Sequence, residues 1–315
     1  MGPQTLRIMQ AVSAIDPDPA SCLLVACFGG ADSLALAAAA RLATSHTGLA
    51  THAIVIDHGL QDGSAEVATR VENQLHRMGY RHVRRVAVTV HDRGTGPEAA
   101  AREARYNALS EAAEELDAVV LLGHTMDDQA ETVLLGLARG SGTRSLAGMP
   151  AARGRFRRPL LEIRRAQTIA ACGELGLVPW RDPHNTDPAF ARVRVRDRVL
   201  PMLAEELTPG VVEALARTAR LATADADLLD HLAAEAHREV TLGDDLDVAG
   251  LGARPDAIRH RVLLRWMRHR GARNLNQGHV LAVDHLLTDW RGQQGVDVPG
   301  MRVMRRAGRL SAVAG

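Results

Sequence analysis

Five segments of this chain bring together residue types that handle phosphate, cations or ammonium groups. The first, Phe28-Gly29-Gly30-Ala31-Asp32-Ser33, puts two glycines ahead of an acid and a hydroxyl. Glycine lets a backbone turn tightly and approach an anion closely. The amides of a following helix start, helped by its dipole, then face a phosphate. Asp32 is placed to hold Mg²⁺ on such phosphates and Ser33 to donate to one of their oxygens. A plain strand-to-helix turn capped by either residue is the alternative. The second segment, Ile56-Asp57-His58-Gly59, offers a carboxylate with reach to a ribose or a base, or simply a cap. The third runs from Gly123 to Thr132 (GHTMDDQAET). His124, Asp128 and Glu131 there fall at i, i+4 and i+7 and share a helix face. The crowded acids Asp127, Asp128 and Glu131 repel one another unless a metal or an ammonium group sits among them. A solvated acidic first turn, favoured by the dipole, is the competing reading. The fourth, Arg102-Glu103-Ala104-Arg105-Tyr106, sets two arginines at i and i+3, suited to a carboxylate or phosphate, or to surface ion pairs. The fifth, DPHNTD at 182–187 followed by Arg192, Arg194 and Arg196, suits a nucleic-acid or triphosphate contact, or is a solvated charge run.

Composition removes several chemistries. The sequence has no lysine, so all 38 basic side chains are arginine. A Schiff-base lysine and a Walker A loop are both excluded. Phosphate chemistry must rest on backbone amides, arginine and metal. Cys22, Cys27 and Cys172 form neither a CxxC pair nor a disulfide framework. That pattern fits a reducing cytoplasm and argues against structural zinc or an iron–sulfur cluster held by this chain alone. No run reaches about 18 apolar residues, and the first eleven residues lack an apolar signal core. A cytoplasmic protein is expected. The net charge of +1 hides a polarity. Residues 151–200 carry eleven Arg against five acids, a net of +6; residues 201–250 carry three against eleven, a net of −8; residues 291–315 carry five against one, a net of +4. Two basic blocks around an acidic one suit a polyanion touched in two places, or are solvated faces.

The elements that must position these residues alternate in period. Strands are expected at 23–28, 51–57, 83–88 and 118–123. Helices are expected at 32–43, 64–78 with Ser64 as cap, 98–116 after Pro97, and 127–139. This β-α repetition predicts an α/β fold with a parallel sheet covered on both faces. Ligands of such sheets sit beyond the C-terminal strand ends, where the candidate residues fall. Strand alternation points Phe28 to the face opposite Cys27. Short helices are expected at 164–175 and 193–203. From Pro209 the chain reads as mainly helical, at 211–240, 255–270 and 277–289. The boundary is placed near 207–210, where the charge also flips, giving domains 1–207 and 208–315.

In combination the motifs resemble a family. GGADS after the first strand is similar to the PP-loop of the ATP pyrophosphatases. IDHGL, ARxxRY, HTMDDQAET with LARGSG, and DPHNTDPAFARVRVR resemble the tRNA(Ile)-lysidine synthases in order and spacing over residues 20–205. The resemblance implies a Rossmann-like PP-loop domain and a mainly helical tRNA-contacting domain. It implies ATP and Mg²⁺ as cofactors, with free L-lysine and a tRNA(Ile) bearing a CAU anticodon as partners; a homodimer is compatible with it. The implied reaction adenylates C2 of the wobble cytidine, and the lysine ε-amine then displaces AMP. By position, Phe28, Gly29, Gly30, Ala31, Asp32 and Ser33 match the pyrophosphate loop, with Asp57 and His58 as further nucleotide contacts. Asp32, His124, Asp128, Arg192 and Arg196 match the catalytic positions. Arg102, Arg105, Asp128 and Glu131 match the lysine site, while Arg194, Arg305 and Arg306 are the tRNA candidates. Where the family pattern has Ser before the two glycines, this chain has Phe28. Two other readings stay open: an ATP- and tRNA-binding homologue with little or no turnover, and a tRNA-thiolating PP-loop enzyme.

Overall fold

A computed structural model describes residues 1–17, 22–57, 63–88, 97–140, 142–180, 182 and 186–314. The first half is built on strands β1 (Cys22–Ala26), β2 (Ala50–Asp57), β3 (Val83–Ala87), β4 (Ala118–Leu121) and the short β5 (Ala152–Arg153) and β6 (Phe156–Arg157). They order as β3-β2-β1-β4-β6-β5. β1 pairs in parallel with both β2 and β4, which makes it the point where chain order reverses. Its C-terminal end and that of β4 therefore open the crevice in which such sheets bind ligands. The outermost strand departs from the all-parallel expectation, because β5 runs antiparallel to β6.

Helices α1 (Pro3–Ser13), α2 (Ala31–Ala43), α3 (Ser64–Arg77) and α7 (Arg165–Glu174) pack on one face of this sheet, and α4 (Pro97–Glu115) on the other. α2 is almost all alanine and leucine, and Ser33 to Ala40 are buried without a break. Small side chains let this helix lie close to β1 and fix its N-terminus at the strand end. The opposite layer is Ala108, Leu109, Ala112 and Ala113 of α4 against Leu24, Ala26 and Ile54. Ser64 is the first helical residue of α3; the cap position belongs to Gly63, in the left-handed region at φ 83°. Helices α5 (Met126–Ala138) and α6 (Thr143–Leu146) follow β4. The expected helix at 193–203 is α8 (Ala191–Arg194), a π turn (Val195–Val199) and α9 (Leu200–Glu206).

Contacts divide the chain into two compact units, Met1–Gly140 with Ser145–Ala219, and Ser141–Arg144 with Arg220–Gly315. The division falls inside the long helix α10 (Val211–Val240), later than the turn at 207–210. The second unit contains α12 (Asp256–His269) and α13 (Gln277–Thr288), as the periodicity indicates, and before them the short α11 (Val248–Gly252), which the sequence reading did not include. It also contains an antiparallel sheet absent from the sequence reading. Strands β7 (Thr241–Leu242), β8 (Asp245–Asp247), β9 (Val296–Val298), β10 (Met301–Arg306) and β11 (Arg309–Ala314) order as β7-β8-β11-β10-β9. Leu246, Val303 and Leu310 of the sheet meet Val262 and Trp266 of α12 in one core. No helix among the described residues is long and apolar enough to cross a membrane.

Candidate active site

The loop between β1 and α2 is shaped by its glycines. Gly29 has φ 85°, and a Cβ there would sit 2.5 Å from Val71 Cγ2, so both backbone and space demand glycine. Gly30 is the N-cap of α2 and brings no side chain to its amides. They face outward with the positive end of the dipole, the ordinary arrangement for a phosphate group. Ser33 closes the loop. Its hydroxyl donates to Gly30 O at 3.0 Å and accepts from the Phe28 amide at 3.2 Å. The sequence reading assigns that hydroxyl to a phosphate oxygen; here its proton goes to the loop carbonyl. At Gly123, beyond β4, a Cβ would lie 3.1 Å from the Asp32 backbone, so the two strand ends touch. The Trp180 amide donates to Gly29 O at 2.9 Å and ties the loop to the segment after α7.

Phe28 points as alternation requires. Cys27 lies in the core beneath α2, whereas Phe28 packs against the α4 side. The Arg105 guanidinium carbon sits 5.2 Å from its ring centroid. Arg102 lies 5.1 Å from the Tyr106 ring, and the Tyr106 hydroxyl accepts from buried Arg158 at 3.1 Å. The two arginines expected to take a carboxylate are thus carried on aromatic faces beside the loop.

The acidic turn of α5 contains its cation already, and that cation is a guanidinium. Asp128 forms a capping box with Thr125, accepting from its amide and hydroxyl at 2.8 Å each. Its other oxygen accepts from Arg165 at 2.8 Å. Arg165 also reaches Glu131 at 3.3 Å and Asp32 at 3.5 Å. Glu131 is fully buried and further held by Arg196 at 2.7 and 3.1 Å and by an ion pair with Arg192 at 3.0 Å. Arg164 takes Asp127 at 3.1 and 3.2 Å and Glu213 at 2.5 Å. The π turn has a purpose in this arrangement. Arg192 and Arg196 face α5 across it, while Arg194 and Arg198 stay exposed. Arg194 bonds the carbonyls of Pro188 and Ala189.

Burial and charge set the protonation states. Burial pushes Asp32 up to about 6, against the pull of Thr168 and Arg165. Burial also works on Asp128, but Arg165 and the Thr125 bonds outweigh it and hold that carboxyl below its usual range. His124 is driven down to about 3, chiefly by burial and further by Arg158, Arg192 and Arg102, with Asp128 opposing. It is therefore neutral at physiological pH, and its buried Nδ1 has no hydrogen-bond partner among the described residues. Asp57, at the end of β2, accepts from Arg85 of β3 at 2.7 Å. His58, Pro183, His184 and Asn185 lie outside the described residues.

The family model of the PP-loop domain matches residues 4–203, and that of the TilS substrate binding domain matches 246–311. The tRNA(Ile)-lysidine synthase of Salinispora arenicola is 55% identical over 300 residues, covering 92% of this chain and 90% of its own. The chain belongs to the tRNA(Ile)-lysidine synthase family. That makes it a ligase-type enzyme. The synthase of Thermobifida fusca is 53% identical over 91% of this chain and 89% of its own, and that of Mycobacterium bovis 50% over 86% and 82%. Among solved structures, the U34-tRNA thiolase NcsA from Methanococcus maripaludis superposes with a TM-score of 0.56 at 17% identity, over 70% of this chain and 78% of that one; it shares the fold.

Within this family member the first unit gathers Asp32, His124, Asp128, Glu131, Arg192 and Arg196 around the ends of β1 and β4. Sequence reasoning missed Arg165, Arg164 and Thr168. Thr168 donates to Asp32, and all three sit at the start of α7. In the second unit, Arg305 does something other than wait for a ligand. It donates to the Leu286 carbonyl of α13 at 2.9 Å and lies over Trp290 at 5.4 Å. Arg306 is exposed.

Proposed function

We propose that the chain joins lysine to C2 of the wobble cytidine of a tRNA(Ile), using ATP and releasing AMP and pyrophosphate. The observation that carries this reading is a side-chain-free helix start at Gly30 set against a carboxylate and guanidinium cluster across the Gly123–Asp32 contact. In the first step the cytidine O2 attacks the α-phosphorus, and the bond to pyrophosphate breaks. The amides after Gly30 hold the leaving pyrophosphate, with no change of position needed as charge builds. In the second step the neutral ε-amine attacks C2, the C2–O bond breaks, AMP leaves and the amine loses a proton.

Asp32 would hold Mg²⁺, which when bound neutralises phosphate charge. One carboxylate together with nucleotide phosphates is an ordinary set for this ion. Asp128 is assigned to the ammonium of the incoming lysine, and Arg102 or Arg105 to its carboxylate. Burial of the niche favours the uncharged, nucleophilic amine. His124 serves as a neutral hydrogen-bonding group and not as a cation. Arg192 and Arg196 are assigned to the activated base. Residues 208–315 take the tRNA body, with Arg306 on an exposed strand end.

The experiment is incubation with ATP, labelled lysine and tRNA(Ile), leaving out each in turn. Label should enter the tRNA only when all three are present, with AMP and pyrophosphate released. No label in the complete mixture overturns the reading.

A further inference from the structure

The cluster's carboxylates are not equally committed. Asp127 is held by Arg164, and Glu131 by Arg192 and Arg196. Arg165 bridges Asp32 to Asp128 and holds Asp128 at 2.8 Å, with Arg196 more distant at 3.9 Å. It is the first residue of α7, where the positive end of the dipole disfavours a cation. Its side chain therefore stays in place through the carboxylates and not through its own helix. The side chain is 23% exposed, so it has a route outward into solvent. Within electrostatic reach of Asp128, His124 presents a buried Nδ1 with no hydrogen-bond partner among the described residues. A polar atom in that state points to a ligand that completes it.

Resting on the ligase reading above, we propose that Arg165 is a resident counter-cation of the empty site, which the ammonium of the incoming amine must displace from Asp128. Both carboxylates pair with this one guanidinium, and carboxylates that share a site repel each other unless a cation lies between them. With Arg165 present the empty site is balanced, and the entering ammonium exchanges for it with no net change of charge. A tethered guanidinium competes at an effective concentration in the millimolar range or above. It lowers the apparent affinity of every amine by the same factor, so a weakly held bare amine is kept out at concentrations where an amino acid, anchored also by its carboxylate on Arg102 or Arg105, still binds. Arg165 is a positioning residue; it touches no reacting atom.

The test is equilibrium binding of labelled L-lysine and of n-butylamine to the full chain and to Arg165→Gln. Removing an internal competitor raises the competent fraction, so lysine should bind about 10-fold more tightly. The dissociation constant for n-butylamine should fall by the same factor, because both ligands displace the same competitor. A merely structural arginine would instead weaken both. Unchanged or weaker binding by a folded Arg165→Gln overturns the proposal, and so does tighter lysine binding with n-butylamine binding unaltered. If Arg165→Gln shows no cooperative melt, Arg165→Lys decides. Its shorter ammonium cannot bridge both carboxylates, so tighter amine binding supports the proposal and unchanged or weaker binding overturns it. Label transfer to tRNA by the unsubstituted chain tests the ligase reading separately. Transfer with unaltered amine binding in the variant overturns the role of Arg165 alone; neither transfer nor lysine binding overturns both.

Discussion

Phe28 stands where the sequence resemblance implies a serine hydroxyl, and its ring carries Arg105. A hydroxyl donating to a charged phosphate contributes about 1.5–3 kcal/mol, roughly 10- to 150-fold. Phe28→Ser is therefore expected to tighten ATP binding and raise pyrophosphate release, measured side by side with the unsubstituted chain. Indistinguishable values would mean that the amides after Gly30 suffice. Asp128 has two duties, capping α5 and holding a cation. Asp128→Asn keeps an oxygen for the cap but loses the charge. The KM for lysine should rise severalfold while ATP affinity moves less; equal effects on both would tie Asp128 to the nucleotide. His124 permits a prediction with a definite sign. An unfolded histidine takes up its proton near 6.5, whereas folded His124 does so only near about 3. Across that window the unfolded chain binds more protons, so stability falls as pH is lowered. His124→Gln should make the fall in Tm below pH 6.5 shallower. An unaltered slope would show that other groups dominate acid unfolding.

At the scale of elements, the parallel sheet, the Ala-rich α2 and the acidic turn of α5 were legible because each has a strong local period or a glycine pair. The antiparallel sheet of the second unit was not. β7, β8 and β9 are two or three residues long, and β10 reads Met-Arg-Val-Met-Arg-Arg, where arginines interrupt the alternation. Arg165 was equally hidden. It sits in a +6 segment among other arginines, and its partners Asp32, Asp128 and Glu131 are remote in sequence. Nothing local separates it from a solvated charge. The π turn escaped for a related reason, since a single inserted residue leaves apolar spacing almost intact. Its packing against α5 is open to test through Glu131, which is fully buried under arginines. Removing one partner of a buried ion pair strands the other charges and costs about 3 kcal/mol or more. Glu131→Gln should lower stability to denaturant by that amount, with Arg192→Gln partly restoring it. A loss under about 0.5 kcal/mol, the size of an ordinary surface change, would mean that the clamp is solvated.

For the molecule as a whole, the sequence places basic blocks in both halves, and a tRNA is long enough to meet both. The structure separates residues that composition had grouped together. Arg305 is committed to the end of α13 and to Trp290, whereas Arg306 and Arg309 stand exposed at the paired strand ends of the β10–β11 hairpin. The exposed residues carry the phosphate contacts in this reading, and Arg305 keeps their strand in place. Each arginine that neutralises a phosphate releases about one counterion, and binding weakens with salt accordingly. Arg306→Gln should weaken tRNA binding and reduce the slope of log affinity against log salt by about 0.9, leaving Tm unchanged. Arg305→Gln should instead lower Tm, with the slope moving only as far as its helix cap is lost. Titrations of tRNA(Ile) at several salt concentrations, paired with melting curves, distinguish the two. If Arg306→Gln leaves the slope untouched while the exposed Arg194→Gln reduces it, the polyanion is held by the first unit and the basic hairpin faces solvent.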